Sequence, residues 1–183
     1  SGVENAVATS GTALTRDQVR LIGRYAKTIV LVFDSDAAGQ AAARRAIDLI
    51  LDEGLAVYVV SLPEGADPDS YVRQFGGDSF VNYSRKYRAG FVEHILAAAD
   101  SEGKLAVPED KLAVIRDVLS SISRIENGIL QGEYVQVLAE QMRVPDAELR
   151  SELRKMLDRK RRSGLRGRRR PTSEGRKGAD REQ

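Results

Sequence analysis

Two closely spaced pairs of aspartates stand in the first half of the chain, and their spacing is of a kind that binds metal ions. Each pair follows an apolar run, residues 28–33 for the first pair and residues 55–62 for the second. The four residues are Asp34, Asp36, Asp67 and Asp69. If both runs are parallel strands, the four carboxylates lie at one edge of a sheet, where they repel one another unless a cation lies among them. The pattern therefore predicts a site for a divalent metal ion.

Helix capping offers a second explanation for part of this pattern. Asp36 directly precedes a predicted helix, and Asp67 with Pro68 has the sequence of an N-cap followed by proline at the first helical position. Capping does not account for Asp34 or Asp69. Asp34 would emerge at the carboxyl ends of the strands, which is where open α/β sheets bind ligands.

The periodicity of apolar residues predicts alternating strands and helices up to residue 77. The predicted segments are strand 4–8, helix 15–26, strand 28–33, helix 37–53 and strand 55–60. Thr15 with Gln18 fits a capping box at the start of the first helix, and Gly54 fits a C-cap for the second. Near-continuous apolar strands that alternate with helices are typical of a parallel α/β sheet covered by helices.

After residue 77 the pattern becomes helical throughout. The predicted helices are 78–87, 91–99, 108–125, 133–142 and 146–160, with breaks at 127–128 and 144–145. In the third of these helices Leu112, Ile115, Leu119 and Ile122 recur at core spacing. The sequence thus predicts an α/β part over residues 1–77 and an all-α part over residues 78–158.

Composition limits the classes of protein that need to be considered. The chain has 183 residues, of which 42% are hydrophobic, and this is enough to build a core. Its apolar runs are too short to span a membrane and no signal segment opens it, so we expect a cytoplasmic protein. The absence of cysteine excludes disulfides and thiolate zinc sites, which leaves oxygen ligands for any metal.

The charge is unevenly distributed along the chain. Residues 159–183 contain 11 Lys or Arg against 3 Asp or Glu, although the net charge of the whole chain is only +2. This segment has almost no apolar residues, so we expect a disordered basic linker. It could attract the phosphates of nucleic acids, and a solvated, extended linker explains its composition equally well.

Two further features are weaker candidates. The loop at residues 9–12 (Thr-Ser-Gly-Thr) could cradle a phosphate between a strand and a helix, although a turn that needs glycine explains it somewhat better. His94 is the only histidine and lies in a helical pattern, so we expect it to pack or to face solvent and assign it no role.

Four segments together carry a resemblance to a known family. AVATSGTALT (6–15), IVLVFDSDAAGQAAARRAI (29–47) and VVSLPEGADPDSYVRQFGG (59–77) resemble the later part of the TOPRIM domain of bacterial DNA primases of the DnaG type. EYVQVLAEQMRVPDAELRSELRK (133–155) resembles the helical end of the polymerase core of the same enzymes. The resemblance covers about residues 2–158 and is most specific in the two aspartate-containing segments.

The resemblance implies a function and a set of roles. Primases of this family are DNA-dependent RNA polymerases that make short RNA primers for replication by metal-assisted nucleotidyl transfer. In that family the D-x-D aspartates are catalytic and bind Mg²⁺ or Mn²⁺, which corresponds to Asp34 and Asp36 here. The DPD carboxylates, corresponding to Asp67 and Asp69, contribute to the same acidic cluster. The implied partners are a single-stranded DNA template, ribonucleoside triphosphates and, through a carboxy-terminal domain that we expect to be missing, the replicative helicase.

The sequence also departs from the family pattern. In the family a catalytic glutamate stands in a Glu-Gly segment ahead of the position of Gly2, and Glu4 is not a substitute for it. We therefore expect an internal piece of a primase that is inactive alone. One alternative is a non-catalytic interaction or nucleic-acid-binding module of TOPRIM type, in which the aspartates only cap helices. A receiver-type signalling domain is a weaker alternative, because receivers place their acidic residues in a different order along the strands.

Overall fold

A three-stranded sheet positions the first aspartate pair. In this computed structural model, which describes residues 3–9, 13–34, 36–63 and 65–167, the strands are β1 (Thr28–Phe33), β2 (Ala56–Ser61) and β3 (Arg88–Gly90). β1 pairs with β2 in parallel, and Phe33 lies opposite Ser61. β3 joins the other side of β2 in the antiparallel direction. The last residues of β1 and β2 therefore lie together at one edge of the sheet.

Eight helices complete the described part of the chain. They are α1 (Arg16–Gly23), α2 (Ala37–Asp52), α3 (Pro68–Phe75), α4 (Gly77–Tyr87), α5 (Phe91–Ser101), α6 (Pro108–Ile122), α7 (Gly128–Met142) and α8 (Asp146–Gly167). None of the helices within the described residues is both long enough and apolar enough to cross a lipid bilayer. The predicted α/β segment followed by a helical segment is confirmed.

The predicted capping signals of the first two helices are present, although α1 ends at Gly23 and the predicted helix extended to residue 26. The Thr15 side chain accepts a hydrogen bond from the Gln18 amide while the Gln18 side chain accepts one from the Thr15 amide, so the capping box is formed. α2 ends beside Gly54, whose φ of +71° is the left-handed conformation that glycine adopts readily. α2 packs against the sheet with Ala43, Ala46 and Ile47 almost fully buried, because alanines allow a helix to approach a sheet closely.

One hydrophobic core joins the sheet to the helices. It extends from Val19 in α1 through the sheet to Leu153 in α8. In α6 the predicted core residues Ile115, Leu119 and Ile122 are buried. Leu112 is 46% exposed, because the buried face of α6 is centred on a different side of the helix, which includes Val114 and Val118.

Ion pairs join α2 to α6 and to Arg124, two residues after the end of α6, and so connect the two predicted parts on the surface of this core. Arg124 contacts Asp48 at 3.1 Å and Asp52 at 2.9 Å. Arg44 bonds both Asp48 and Asp117, at 2.6 and 2.8 Å. The network includes three side chains of α2 (Arg44, Asp48 and Asp52) and that of Arg124, and each of the four is less than one third exposed. Solvent therefore screens these charges less than it would on an open surface. The division of the chain at residue 77 stays a prediction.

Three further predicted elements differ from the structure. Residues 4–8 form a turn and irregular chain instead of a strand, because this exposed segment pairs with no described strand and Val7 is left 80% exposed. α7 begins at Gly128 instead of residue 133, since the Asn127 side chain caps it by accepting hydrogen bonds from the amides of Ile129 and Leu130. The helix predicted over 108–125 ends at Ile122.

The sequence also failed to predict two short elements and the length of the last helix. α3 was suggested only by the capping pattern at Asp67, and β3 was not predicted at all. α8 continues to Gly167, so residues 159–167 are helical where a disordered linker was expected, because these residues include no proline and extend a helix that is already anchored in the core by Leu149 and Leu153. The rest of the predicted tail, residues 168–183, lies outside the described residues.

Candidate metal site at the carboxyl edge of the sheet

Among the residues that the structure describes, Asp34 is the predicted site residue whose side chain has no partner. It follows the last residue of β1 and is exposed. Its carboxylate makes no hydrogen bond or ion pair with any other residue that the structure describes. Both of its oxygens therefore remain available to a ligand at the edge of the sheet.

Asp36 caps α2, as the alternative explanation predicted. Its Oδ1 accepts a hydrogen bond of 2.7 Å from the Gly39 amide, and its backbone is extended as an N-cap requires. The cap uses only one of the two carboxylate oxygens, and no described residue donates a hydrogen bond to Oδ2. Capping consequently fixes the side chain of Asp36 without occupying all of its ligand capacity.

Gly39 explains how the turn between β1 and α2 holds Asp34 so close to the helix. A Cβ atom at Gly39 would lie only 2.2 Å from the main-chain oxygen of Asp34. Real Cβ atoms essentially never approach another atom within 3.0 Å, so only glycine fits at this position. The D-x-D-x-x-G sequence thus describes one local structure, in which the first turn of the helix packs against the backbone of the first aspartate.

A small cavity lies beneath this turn. Its lining comes from the ends of β1 and β2, the first turns of α2, and α5, and comprises Phe33, Asp34, Gly39, Gln40, Ala43, Val59, Val60, Ser61 and His94. The space for a water-sized sphere is about 10 Å³, so the cavity has room for about one water molecule. Asp34 therefore lines a small pocket at the edge of the sheet.

His94 is the residue of this pocket that the sequence did not assign to the site. It is only 8% exposed, and burial lowers the pKa of its imidazole below the usual value. A lowered pKa keeps the ring neutral at pH 7. Of the two positions expected for His94, packed or facing solvent, the structure shows the packed one. Its position beside Asp34 could not be predicted, because it depends on how α5 packs against β2 and β3.

The second aspartate pair is engaged in local structure. Asp67 caps α3: its Oδ1 accepts a hydrogen bond of 2.9 Å from the Ser70 amide, and the Ser70 hydroxyl accepts one from the Asp67 amide. The bond from the Ser70 amide is the main reason why the pKa of Asp67 is lowered. Asp69 makes an ion pair of 2.9 Å with Arg73, in which both side chains are largely exposed. Both residues of this pair thus have partners of their own.

Only the first pair directly follows the end of its strand, and among the described residues the two pairs do not form one cluster. Among the described residues there is no group of three or more His, Cys, Asp or Glu side chains placed to hold a metal ion. β2 ends at Ser61, so Asp67 begins a new helix six residues further along the chain. A shared role for all four carboxylates stays a prediction.

Asp34 and Asp36 by themselves fit a hard divalent cation. Mg²⁺ prefers oxygen ligands and is usually held by one or two carboxylates, with waters and substrate phosphates completing its shell. An unpaired aspartate two residues from one with a free Oδ2 supplies that kind of donor set. Residues 10–12 of the loop that could bind a phosphate lie outside the described residues.

Two family profiles match the chain. The first, described as Toprim-like, matches residues 1–72. The second, described as the DnaB-helicase binding domain of primase, matches residues 96–147, which run from α5 into α8. We had expected helicase contacts to lie in a domain missing from this chain. The second match instead falls on helices that are present.

Relatives with the same architecture are DNA primases. The DNA primase of Listeria innocua is 32% identical over 158 residues, which are 86% of this chain and 25% of that protein. A DNA primase domain from Pseudomonas aeruginosa is 29% identical with a TM-score of 0.69, over 82% of this chain and 48% of the solved one. The zinc-binding and RNA polymerase domains of the Aquifex aeolicus primase are 29% identical with a TM-score of 0.64, over 81% and 34%. The chain thus spans about a quarter of the length of the curated relative. It belongs to the family of bacterial DNA primases of the DnaG type and corresponds to part of their catalytic core.

Proposed function

We propose that this chain supplies part of the catalytic centre of a DNA primase, an enzyme that copies single-stranded DNA into short RNA primers. The observation that carries the proposal is the geometry of Asp34. Its carboxylate is exposed and unpaired among the described residues, and the contact between Gly39 and its main-chain oxygen fixes the backbone that bears it. A residue held so firmly with nothing to bind in the protein itself is suited to bind a ligand.

In this proposal Asp34 and Asp36 hold a divalent metal ion, Mg²⁺ or Mn²⁺. Such an ion, when bound, neutralises the negative charge of a nucleoside triphosphate during nucleotidyl transfer. Asp34 offers two free oxygens, while Asp36 offers the oxygen that its cap leaves unused. The buried ring of His94, whose pKa is lowered by burial, lines the same small pocket as Asp34. Asp67 and Asp69 add negative charge beyond the end of β2.

The partners follow from the same proposal. The template is single-stranded DNA, the substrates are ribonucleoside triphosphates, and the replicative helicase contacts the helices of residues 96–147. Because bacterial DNA is replicated in the cytoplasm, we place the protein there. A non-catalytic TOPRIM-type module is less well supported, since capping explains Asp36 and Asp67 but gives Asp34 no structural purpose.

Asparagine variants separate metal binding from helix capping. Asparagine caps helices about as well as aspartate, so Asp36→Asn should keep the stability of α2 while it removes the ligand charge. We expect millimolar Mn²⁺ to broaden the amide NMR signals of residues 33–40 in the unmodified chain. Asp34→Asn and Asp36→Asn should each weaken this effect about ten-fold or more. Asp110→Asn, in the exposed first turn of α6, serves as the control and should change nothing.

Two results would contradict the metal site. One is the absence of any broadening near Asp34 at millimolar Mn²⁺, and the other is unchanged Mn²⁺ affinity in Asp34→Asn. The catalytic step needs a separate measurement in a complete primase core, since the chain spans only about a quarter of the length of its curated relative. Within a complete primase core, Asp34→Asn should abolish primer synthesis while Asp110→Asn leaves it intact.

A further inference from the structure

α3 and α4 form a helical hairpin that is held together by aromatic rings. Neither helix contains a buried residue. Four rings follow one another across the hairpin: the centroids of Phe75 and Tyr71 lie 4.8 Å apart, those of Tyr71 and Tyr83 5.1 Å, and those of Tyr83 and Tyr87 4.5 Å. We call these four rings, together with the cations Arg85, Lys86 and Arg88, the aromatic row.

Both ends of the aromatic row are open to solvent. Phe75 is 52% exposed and Tyr87 is 50% exposed. The two inner rings, Tyr71 and Tyr83, are only partly covered. Contacts within the hairpin account for the spacing of the rings, but they leave half of each terminal ring without a neighbour, so ring faces or edges remain available for stacking.

The end of the row at Tyr87 is basic. Arg85, Lys86 and Arg88 are exposed and make no ion pair with any carboxylate of the described residues. Lys86 lies 5.0 Å from the Tyr87 ring centroid, and Arg88 lies 4.9 Å from that of Tyr58. The sequence contains no acidic residue between Asp78 and Glu93. Three exposed cations thus stand within two residues of Tyr87 in the chain, and one of them, Lys86, lies beside its ring.

A hydrogen bond connects the aromatic row to the candidate metal site. The Tyr83 hydroxyl donates to the main-chain oxygen of Ser61 at 3.1 Å. Ser61 is the last residue of β2, lies opposite Phe33, and lines the same cavity as Asp34. The row therefore extends outward from the edge of the sheet where we place the metal ion.

We propose that the aromatic row binds single-stranded DNA. Bases stack on aromatic side chains regardless of sequence, and Lys and Arg beside those rings contact the phosphates between the bases. Exposed rings with unpaired cations and no nearby carboxylate match this ligand, and a polyanionic strand is complementary in charge. The inference deepens the proposed function, on which it rests, by giving the template strand a path beside Asp34.

Fluorescence anisotropy with a labelled oligothymidylate of about twelve nucleotides measures this binding directly. The titrations use the full chain in roughly 0.3 M salt, which weakens the contribution of the basic residues 159–183 more than it weakens stacking. Tyr87→Leu should lower the affinity about five-fold or more, because it removes a stacking surface. Tyr87→Phe keeps the ring and should retain the affinity. Tyr25→Leu, at a tyrosine that is 86% exposed elsewhere, is the matched control and should bind as the unmodified chain does.

The cations have their own readout. Lys86→Gln and Arg88→Gln should each reduce the salt dependence of binding, by about one in the slope of log affinity against log salt. Lys27→Gln removes an exposed lysine at the opposite end of the strands and should leave the slope unchanged. Circular dichroism of each variant verifies that the fold is intact.

Photo-crosslinking of the unmodified chain to an oligonucleotide that carries 5-iodouracil provides a test that requires no variant. Crosslinks at Tyr87 or Phe75 support the proposal, whereas crosslinks confined to residues 159–183 overturn it. It is equally overturned if Tyr87→Leu binds DNA as tightly as Tyr25→Leu. If Tyr87→Leu changes only the oligomeric state in sedimentation, the surface is a contact between copies of the chain. Mn²⁺ titration at Asp34 is independent of these results, so the failure of this inference is distinguishable from failure of the proposed function.

Discussion

Replacing Gly39 with alanine is expected to disturb the turn that holds Asp34 at the edge of the sheet. A Cβ atom on Gly39 would lie 2.2 Å from the main-chain oxygen of Asp34 and 3.2 Å from Oδ1 of Asp36. Moving from 2.2 Å to the 3.4 Å of an ordinary contact requires a displacement of about 1.2 Å between the turn and the helix. The obstructing atom belongs to the backbone, so it cannot rotate away as a flexible side chain would.

Two opposing effects set the size of the loss. An added methyl group in a filled space typically costs about 1–3 kcal/mol. Alanine favours a helix over glycine by up to about 1 kcal/mol, and Gly39 lies within the first turn of α2. The steric effect is the larger one because the contact is far below any normal approach. We expect the free energy of unfolding to fall by about 1–2 kcal/mol on balance.

Chemical denaturation followed by circular dichroism measures this change, and Gly128→Ala is its matched control. Gly128 also lies in the first turn of a helix, α7, but a Cβ atom there would meet nothing within 4 Å. Gly128→Ala should therefore leave the free energy of unfolding unchanged or raise it by about 0.4–1 kcal/mol. Gly39→Ala should also weaken Mn²⁺ binding, because Asp34 moves with its turn. Equal stability of the two variants would refute the close-approach argument.

Three further predictions use other parts of the structure. Burial lowers the pKa of His94, so the unfolded chain takes up the proton first as the pH falls below about 6.5. The free energy of unfolding should therefore decline as the pH falls from about 6.5 toward the pKa of the folded state, and this decline should be smaller in His94→Gln. An NMR titration of this one histidine that gave a pKa at or above 6.5 would contradict the prediction. Arg124→Ala should lower the free energy of unfolding by about 1–3 kcal/mol, because it breaks a partly buried network. Arg73→Ala removes an exposed ion pair and should change the free energy of unfolding by less than about 0.5 kcal/mol. Equal effects of the two variants in denaturation experiments would be inconsistent with this difference. Asn127→Ala should cost about 1 kcal/mol and Asn127→Asp little, and a thermal melt that does not distinguish them would argue against the cap.

The elements that were predictable from the sequence are those whose signals are local. β1 was predicted with its observed bounds because a run of β-branched and apolar residues is followed at once by a cap. The capping box at Thr15 and the glycine after α2 likewise depend on residues a few positions apart. Such patterns are decided within one turn or one strand, so sequence alone identifies them.

The elements that were not predictable depend on distant partners. The alternation of strands and helices predicted a strand over residues 4–8, but a strand exists only when another strand pairs with it, and none of the described strands does. β3 has only three residues and owes its conformation to pairing with Val59 and its neighbours in β2. The position of His94 beneath Asp34 has the same origin, because it is fixed by the packing of α5 on the sheet.

Capping and metal binding were opposed explanations of the first aspartate pair, and the structure makes them complementary. A carboxylate that only caps a helix needs neither a second free oxygen nor an unpaired neighbour. Asp36 uses Oδ1 for the Gly39 amide, which fixes its side chain before any ligand arrives. The same glycine lets the backbone of Asp34 approach the helix, so one residue fixes the side chain of Asp36 and the main chain of Asp34. Sites whose ligands are already fixed lose less conformational entropy on binding than flexible ones. The cap is therefore part of the physical case for a metal site at Asp34 and Asp36.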